Sequence, residues 1–144
     1  MLYKRRVIAT SFIVLSLFLT TCKNKVNNEI DIPELLLLYT EENSIDYSNL
    51  LNSAISGDLD ALREFSLLDF RDAVAYDHGC VMVDMISIVG EETFIKGIET
   101  ISDQQKVVVK GYISAGLEYG NQVDFGPADF RVVFPKIYAF INNI

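Results

Sequence analysis

The stretch Asp72-Ala73-Val74-Ala75-Tyr76-Asp77-His78-Gly79-Cys80-Val81-Met82-Val83-Asp84-Met85-Ile86-Ser87-Ile88-Val89 decides the fold class. Its apolar residues Val74, Val81, Met85 and Val89 recur at spacings of seven, four and four, which places them on one face of a helix. Gly90 ends the helix. Glu91 and Glu92 then occupy the favourable first turn of the next one, whose stripe is Phe94, Ile98 and Ile101.

The same signals extend outward in both directions. Upstream, Pro33 suits a helix start, and Glu34-Leu35-Leu36-Leu37-Leu38-Tyr39 reads as one short, strongly buried helix. Asp46 can cap a helix carrying Leu50, Leu51, Ala54 and Ile55, stopped by Gly57, and Asp58 caps the next, with Leu62, Phe65 and Leu68. Downstream, Ser102 and Gln105 fit a capping box at the start of a helix with Val108, Val109, Tyr112, Ile113, Ala115 and Tyr119. Residues 106–113 also admit a strand, because Val107-Val108-Val109 is β-branched and Gly111 and Gly116 each cost about 1 kcal/mol inside a helix. The good cap and helical neighbours favour helix, with Gly111 marking close helix packing. Gly120 ends the segment, residues 121–126 form a loop, and Phe130, Phe134, Ile137 and Ile141 make a last helix that Pro135 kinks or splits. The expectation is an all-α domain, a compact bundle or irregular stack of about six or seven short helices. Ser56 to Leu62 and Gly116 to Gly120 faintly resemble pieces of ankyrin-type repeats, but no full second copy accompanies them.

Composition sets the boundaries of the functional reading. The chain has 144 residues, a formal charge of -8, 50% hydrophobic residues and a mean hydropathy of +0.24. That length builds one core. The acidic balance disfavours nucleic acid, whose phosphates need clustered Lys and Arg. The apolar surplus has a local source in the first 22 residues, where Lys4, Arg5 and Arg6 precede an uncharged run from Val7 to Leu19. As a helix this run is about 20 to 22 Å long, short of the roughly 30 Å hydrocarbon core of a bilayer.

The tetrapeptide Leu19-Thr20-Thr21-Cys22 closes that run, and the segment resembles a bacterial lipoprotein signal, with Leu three residues before a Cys. The resemblance covers only this segment. It implies cleavage before Cys22, diacylation of the Cys22 thiol and acylation of the new amino group, so that Cys22 becomes the lipid-bearing first residue. The competing reading is a short uncleaved anchor with an incidental Cys. Lys23 stands where Asp would signal inner-membrane retention in that family, and the following residues are not acidic; both features imply an outer-membrane protein facing the periplasm. The division is a signal peptide at 1–21, lipidated Cys22 with a flexible tether at 22–29, and a single helical domain at 30–144.

Loss of residues 1–21 leaves nine Lys plus Arg against twenty Asp plus Glu, a mature charge of -11. Cys80 is then the only thiol left. If Cys22 is not lipidated, Cys22 to Cys80 is the one bridge available.

The most suggestive chemical cluster is Asp77, His78, Cys80 and Asp84. Asp77, Cys80 and Asp84 fall at i, i+3 and i+7, near one helix face; Asp, Cys and His are all possible metal ligands, and a thiolate beside an imidazole is the beginning of nucleophilic catalysis. The chain has a single His and no metal-type pairing of ligands, so each residue reads more simply as structural. In that reading His78 lies at the margin of the apolar stripe, Gly79 admits a neighbouring helix, and Cys80 is a small buried hydrophobe. Tyr112, Tyr119, Phe130 and Phe134 read as core. No catalytic residue, cofactor or metal is assigned. The functional expectation is a non-catalytic, membrane-anchored lipoprotein that binds an envelope protein of basic character, with an immunity or inhibitor protein as one concrete form. The alternative is a metal-binding or enzymatic lipoprotein centred on Asp77, His78, Cys80 and Asp84.

Overall fold

The computed structural model describes residues 30–120 and 129–143; the signal segment, Cys22, the tether and the expected loop at 121–126 lie outside them. The described residues form eight helices and no strand: α1 (Glu34–Glu42), α2 (Tyr47–Ile55), α3 (Leu59–Ser66), α4 (Asp72–Val89), α5 (Glu91–Ile98), α6 (Asp103–Tyr119), α7 (Phe130–Val133) and α8 (Pro135–Ile141). The all-α expectation holds, and the stretch at 106–113 is helix throughout. No single described helix is long and apolar enough to cross a bilayer.

The helix punctuation follows local chemistry. The Asp58 carboxylate accepts the Asp60 and Ala61 N–H groups at the start of α3. Ser102 and Gln105 make both bonds of the capping box on α6, which outweighs the β-branched run behind it. Gly57 and Gly90 have φ of +90° and +80°, a conformation L side chains rarely adopt, and Gly90 lets the chain turn through 116° between α4 and α5. Asp46 departs from expectation: its carboxylate takes the Asn49 side-chain amide at 2.7 Å and makes no bond to the backbone of α2.

α4 runs through the centre of the molecule, touching α1, α2, α5 and, most extensively, α6. Its buried residues are Val74, His78, Gly79, Val81, Met82, Val83, Met85 and Ile86, so the helix is enclosed on most of its girth rather than along one stripe. Close approach to α6 is made by Gly79 and Gly116. A Cβ at Gly79 would overlap the Tyr112 carbonyl oxygen, and one at Gly116 would overlap the Gly79 carbonyl. Gly111, expected to mediate that packing, faces open space instead. Pro135 splits the last segment into α7 and α8, and Phe130, Phe134, Ile137 and Ile141 are all buried. α1 is less buried than its leucine run suggested: Leu36 is enclosed, but Leu35 and Leu38 are 49% and 51% exposed, because only one face of an end helix meets the core.

Candidate functional site

The structure divides the cluster found in the sequence. His78 is completely buried, not marginal, and sits among the rings of Tyr47, Phe65, Phe70 and Tyr112 at centroid distances of 4.8 to 5.8 Å. Its Nδ1 lies 2.9 Å from the Tyr47 hydroxyl, while Nε2 has no hydrogen-bond partner among the described residues. Burial pushes the imidazole down to about 3, so it is neutral at physiological pH, and burial likewise drives the Tyr47 phenol upward. This is the environment of a core residue enclosed by aromatics.

Asp77, Cys80 and Asp84 remain together on another side of α4. All three are half-buried, so Cys80 is less enclosed than expected for a buried hydrophobe. Burial raises the Cys80 thiol, and the neighbouring Asp77 and Asp84 carboxylates raise it further. A thiol in that field stays protonated, opposite to the activation a nucleophile needs. Among the described residues no group of three or more His, Cys, Asp or Glu is arranged to hold a metal ion.

A different surface stands out on α4 and α6. Asp69, Phe70, Ala75, Tyr76, Val107, Val108, Gly111, Tyr112 and Ala115 line an open groove of about 300 Å³. The Tyr112 hydroxyl fixes its floor, donating to the Leu68 carbonyl at 2.7 Å and accepting the Phe70 N–H at 3.1 Å, so the α3–α4 connection is stapled to α6. Around it the apolar surface continues into solvent: Tyr76 is 51% exposed, Val107 69% and Tyr119 59%, and the Tyr76 and Tyr119 rings meet at 5.2 Å. Contiguous exposed apolar surface of this kind marks interaction sites more often than isolated apolar residues do.

Two other concavities have a different character. One of about 500 Å³ between α2 and α3 is lined by Ser44, Asp46, Asn49, Ser53 and Glu64 among others, with Asp46 and Asn49 bonded to each other. Another of about 390 Å³ beside α8 is lined by Arg131, Pro135, Tyr138 and Ala139, with the Arg131 guanidinium stacked 5.0 Å from the Tyr138 ring.

The α4–α6 groove is not legible in the sequence: spacing puts Tyr119 in the core and Val108 on a buried stripe, whereas both are exposed. The available signal was the triplet Val107-Val108-Val109, since three consecutive residues on a helix cannot share one face, and only Val109 is buried. Comparison of the chain with protein-family models, with curated proteins and with solved structures finds no match in any of the three.

Proposed function

We propose that this chain is a small acidic lipoprotein, held in the cell envelope through acylated Cys22, that acts without catalysis by binding another protein. The observation that carries the binding part is the solvent-facing apolar surface of Tyr76, Tyr119, Val107 and Val108 around the α4–α6 groove. Burying it against a partner releases water from apolar surface that the fold itself leaves uncovered. The mature charge of -11 selects for a basic partner, and an inhibitor or immunity protein that occludes a basic envelope protein is the concrete form of this reading.

The anchoring part rests on Leu19-Thr20-Thr21-Cys22 behind a basic and apolar leader. One acyl chain gives only marginal membrane attachment at about 0.8 kcal/mol per buried CH₂, whereas two or three anchor stably. Lys23 after the Cys supports an outer-membrane location facing the periplasm. A tether of about seven residues would keep the domain within roughly 25 Å of the lipid surface.

The test uses the full chain in its native envelope. Cys22→Ala is expected to leave the precursor at its unprocessed mass and to abolish incorporation of labelled palmitate; normal maturation of the variant refutes lipidation. Cross-linking in intact cells is expected to join the wild-type chain to one basic envelope protein, with the complex dissociating as salt is raised. A chain that cross-links to nothing refutes the binding role.

A further inference from the structure

The groove between α4 and α6 has a rim as well as a floor. Asp69 lines it directly; burial raises the Tyr112 phenol at the floor, and the Asp69 charge adds to that. Asp72 precedes Ala75 and Tyr76 by one helical turn, and Glu118 follows Ala115 by one turn, which puts both on the groove side of their helices. Both are exposed.

Of the nearby cations only Arg71 meets the rim, at 3.7 Å from Asp69 with both side chains largely exposed, so it offsets part of that charge; Lys106 reaches Asn143 at 3.1 Å and Lys110 reaches Asn142 at 2.8 Å, both turning toward α8. Asp103 is held by Lys106 at 3.3 Å and adds little to the rim. The result is an apolar trough with an acidic border. At its centre Gly111 offers a gap in the wall, because a Cβ there would meet no atom within 4 Å.

Resting on the protein-binding reading above, we infer that this groove is the docking site for a cationic amphipathic segment of a partner protein. One large apolar side chain of the segment seats over Gly111 between Phe70, Tyr76 and Val107, and flanking Lys or Arg side chains meet Asp69, Asp72 and Glu118. Charge decides the occupant. An anionic lipid surface is repelled by the acidic border, and a second copy presenting the same face would set carboxylates against carboxylates. A volume of about 300 Å³ suits a single anchoring side chain better than a free small ligand, which would need deeper enclosure.

The experiment uses the full chain, purified in a non-ionic detergent, and a fluorescent helix-forming peptide of Leu, Ala and Lys, with a twin in which Glu replaces every Lys. The Lys peptide is expected to bind, to weaken about tenfold from low to physiological salt, and to outcompete its Glu twin by a similar factor. Gly111→Leu fills the seat and is expected to lower affinity at least about tenfold while leaving the melting temperature unchanged or higher, since glycine is a poor helix former. Asp69→Asn with Glu118→Gln is expected to remove most of the salt dependence.

Equal binding of the two peptides, or unchanged affinity in Gly111→Leu, overturns the proposal. So does self-association of the full chain that Gly111→Leu abolishes, which would make a second copy the occupant. Failure of the Lys peptide to bind at all also overturns the groove assignment, whereas the broader binding role is decided separately by cross-linking in cells.

Discussion

The Tyr47 hydroxyl and the His78 Nδ1 lie 2.9 Å apart across 31 residues of sequence, and this bond joins α2 to the central helix inside an aromatic enclosure. With Tyr47 donating, the imidazole proton sits on Nε2, which has no hydrogen-bond partner among the described residues. The pair is a buried polar contact that the core must keep intact. Tyr47→Phe is therefore expected to destabilise the protein by about 1 to 3 kcal/mol, the cost of leaving a buried acceptor unsatisfied. His78→Leu strands the Tyr47 hydroxyl in turn. The double variant is expected to lose less than the sum of the two, as read from urea midpoints in a double-mutant cycle.

His78 also makes stability depend on pH. Its folded value is pushed down from 6.5 to about 3 by burial, so below pH 6.5 the unfolded chain binds a proton that the folded chain refuses. The associated stability is fully present above 6.5 and falls with acidification by up to about 1.4 kcal/mol per pH unit until about pH 3. Asp77, raised by burial, acts with the opposite sign and in the carboxylate range. Between about pH 6.5 and about pH 4.5 the wild type is expected to lose unfolding free energy steeply and His78→Leu to lose much less. Equal slopes in the two proteins would contradict this account.

Three glycines of α4 and α6 are expected to respond in opposite ways to the same substitution. Gly79→Ala and Gly116→Ala place a methyl group on the backbone of the facing helix, where no flexible side chain can yield, and each is expected to cost about 3 kcal/mol or to prevent folding. Gly111→Ala meets open space and is expected to stabilise by about 0.5 to 1 kcal/mol. Thermal denaturation by circular dichroism ranks the three.

Glu91 has a role beyond its own helix. Its Oε2 accepts the backbone N–H groups of Lys136 at 2.8 Å and Ile137 at 2.9 Å, so a side chain of α5 caps α8, whose own N-cap residue Phe134 makes no side-chain bond. Pro135 contributes no donor, leaving these two as the open N–H groups of that turn. Glu91→Ala is expected to cost about 1 to 2 kcal/mol and to raise hydrogen exchange first in α8, whereas Glu92→Ala, which breaks an exposed contact to Lys136, is expected to leave stability nearly unchanged. Uniform exchange across the domain in Glu91→Ala would contradict a local capping role.

The sequence by itself determined the helices. The spacing along α4, Asp58 and Ser102 at helix starts, Gly57 and Gly90 at helix ends and Pro135 as a break are local instructions, carried by backbone geometry and hydrogen bonds within a few residues, and the structure follows them. Tertiary structure decided which faces are covered. α4 is central because four helices touch it, and that enclosure puts His78 in the core while leaving Asp77, Cys80 and Asp84 half-buried on another side. The same holds for Gly79 and Gly116 at the close approach, for Gly111 outside it, and for the groove under Tyr76 and Val107. Periodicity tells which residues of one helix share a face, but burial depends on which neighbour arrives at that face, and that is settled by contacts between residues 31 to 46 positions apart such as Tyr47 with His78, Tyr112 with Leu68 and Glu91 with Ile137.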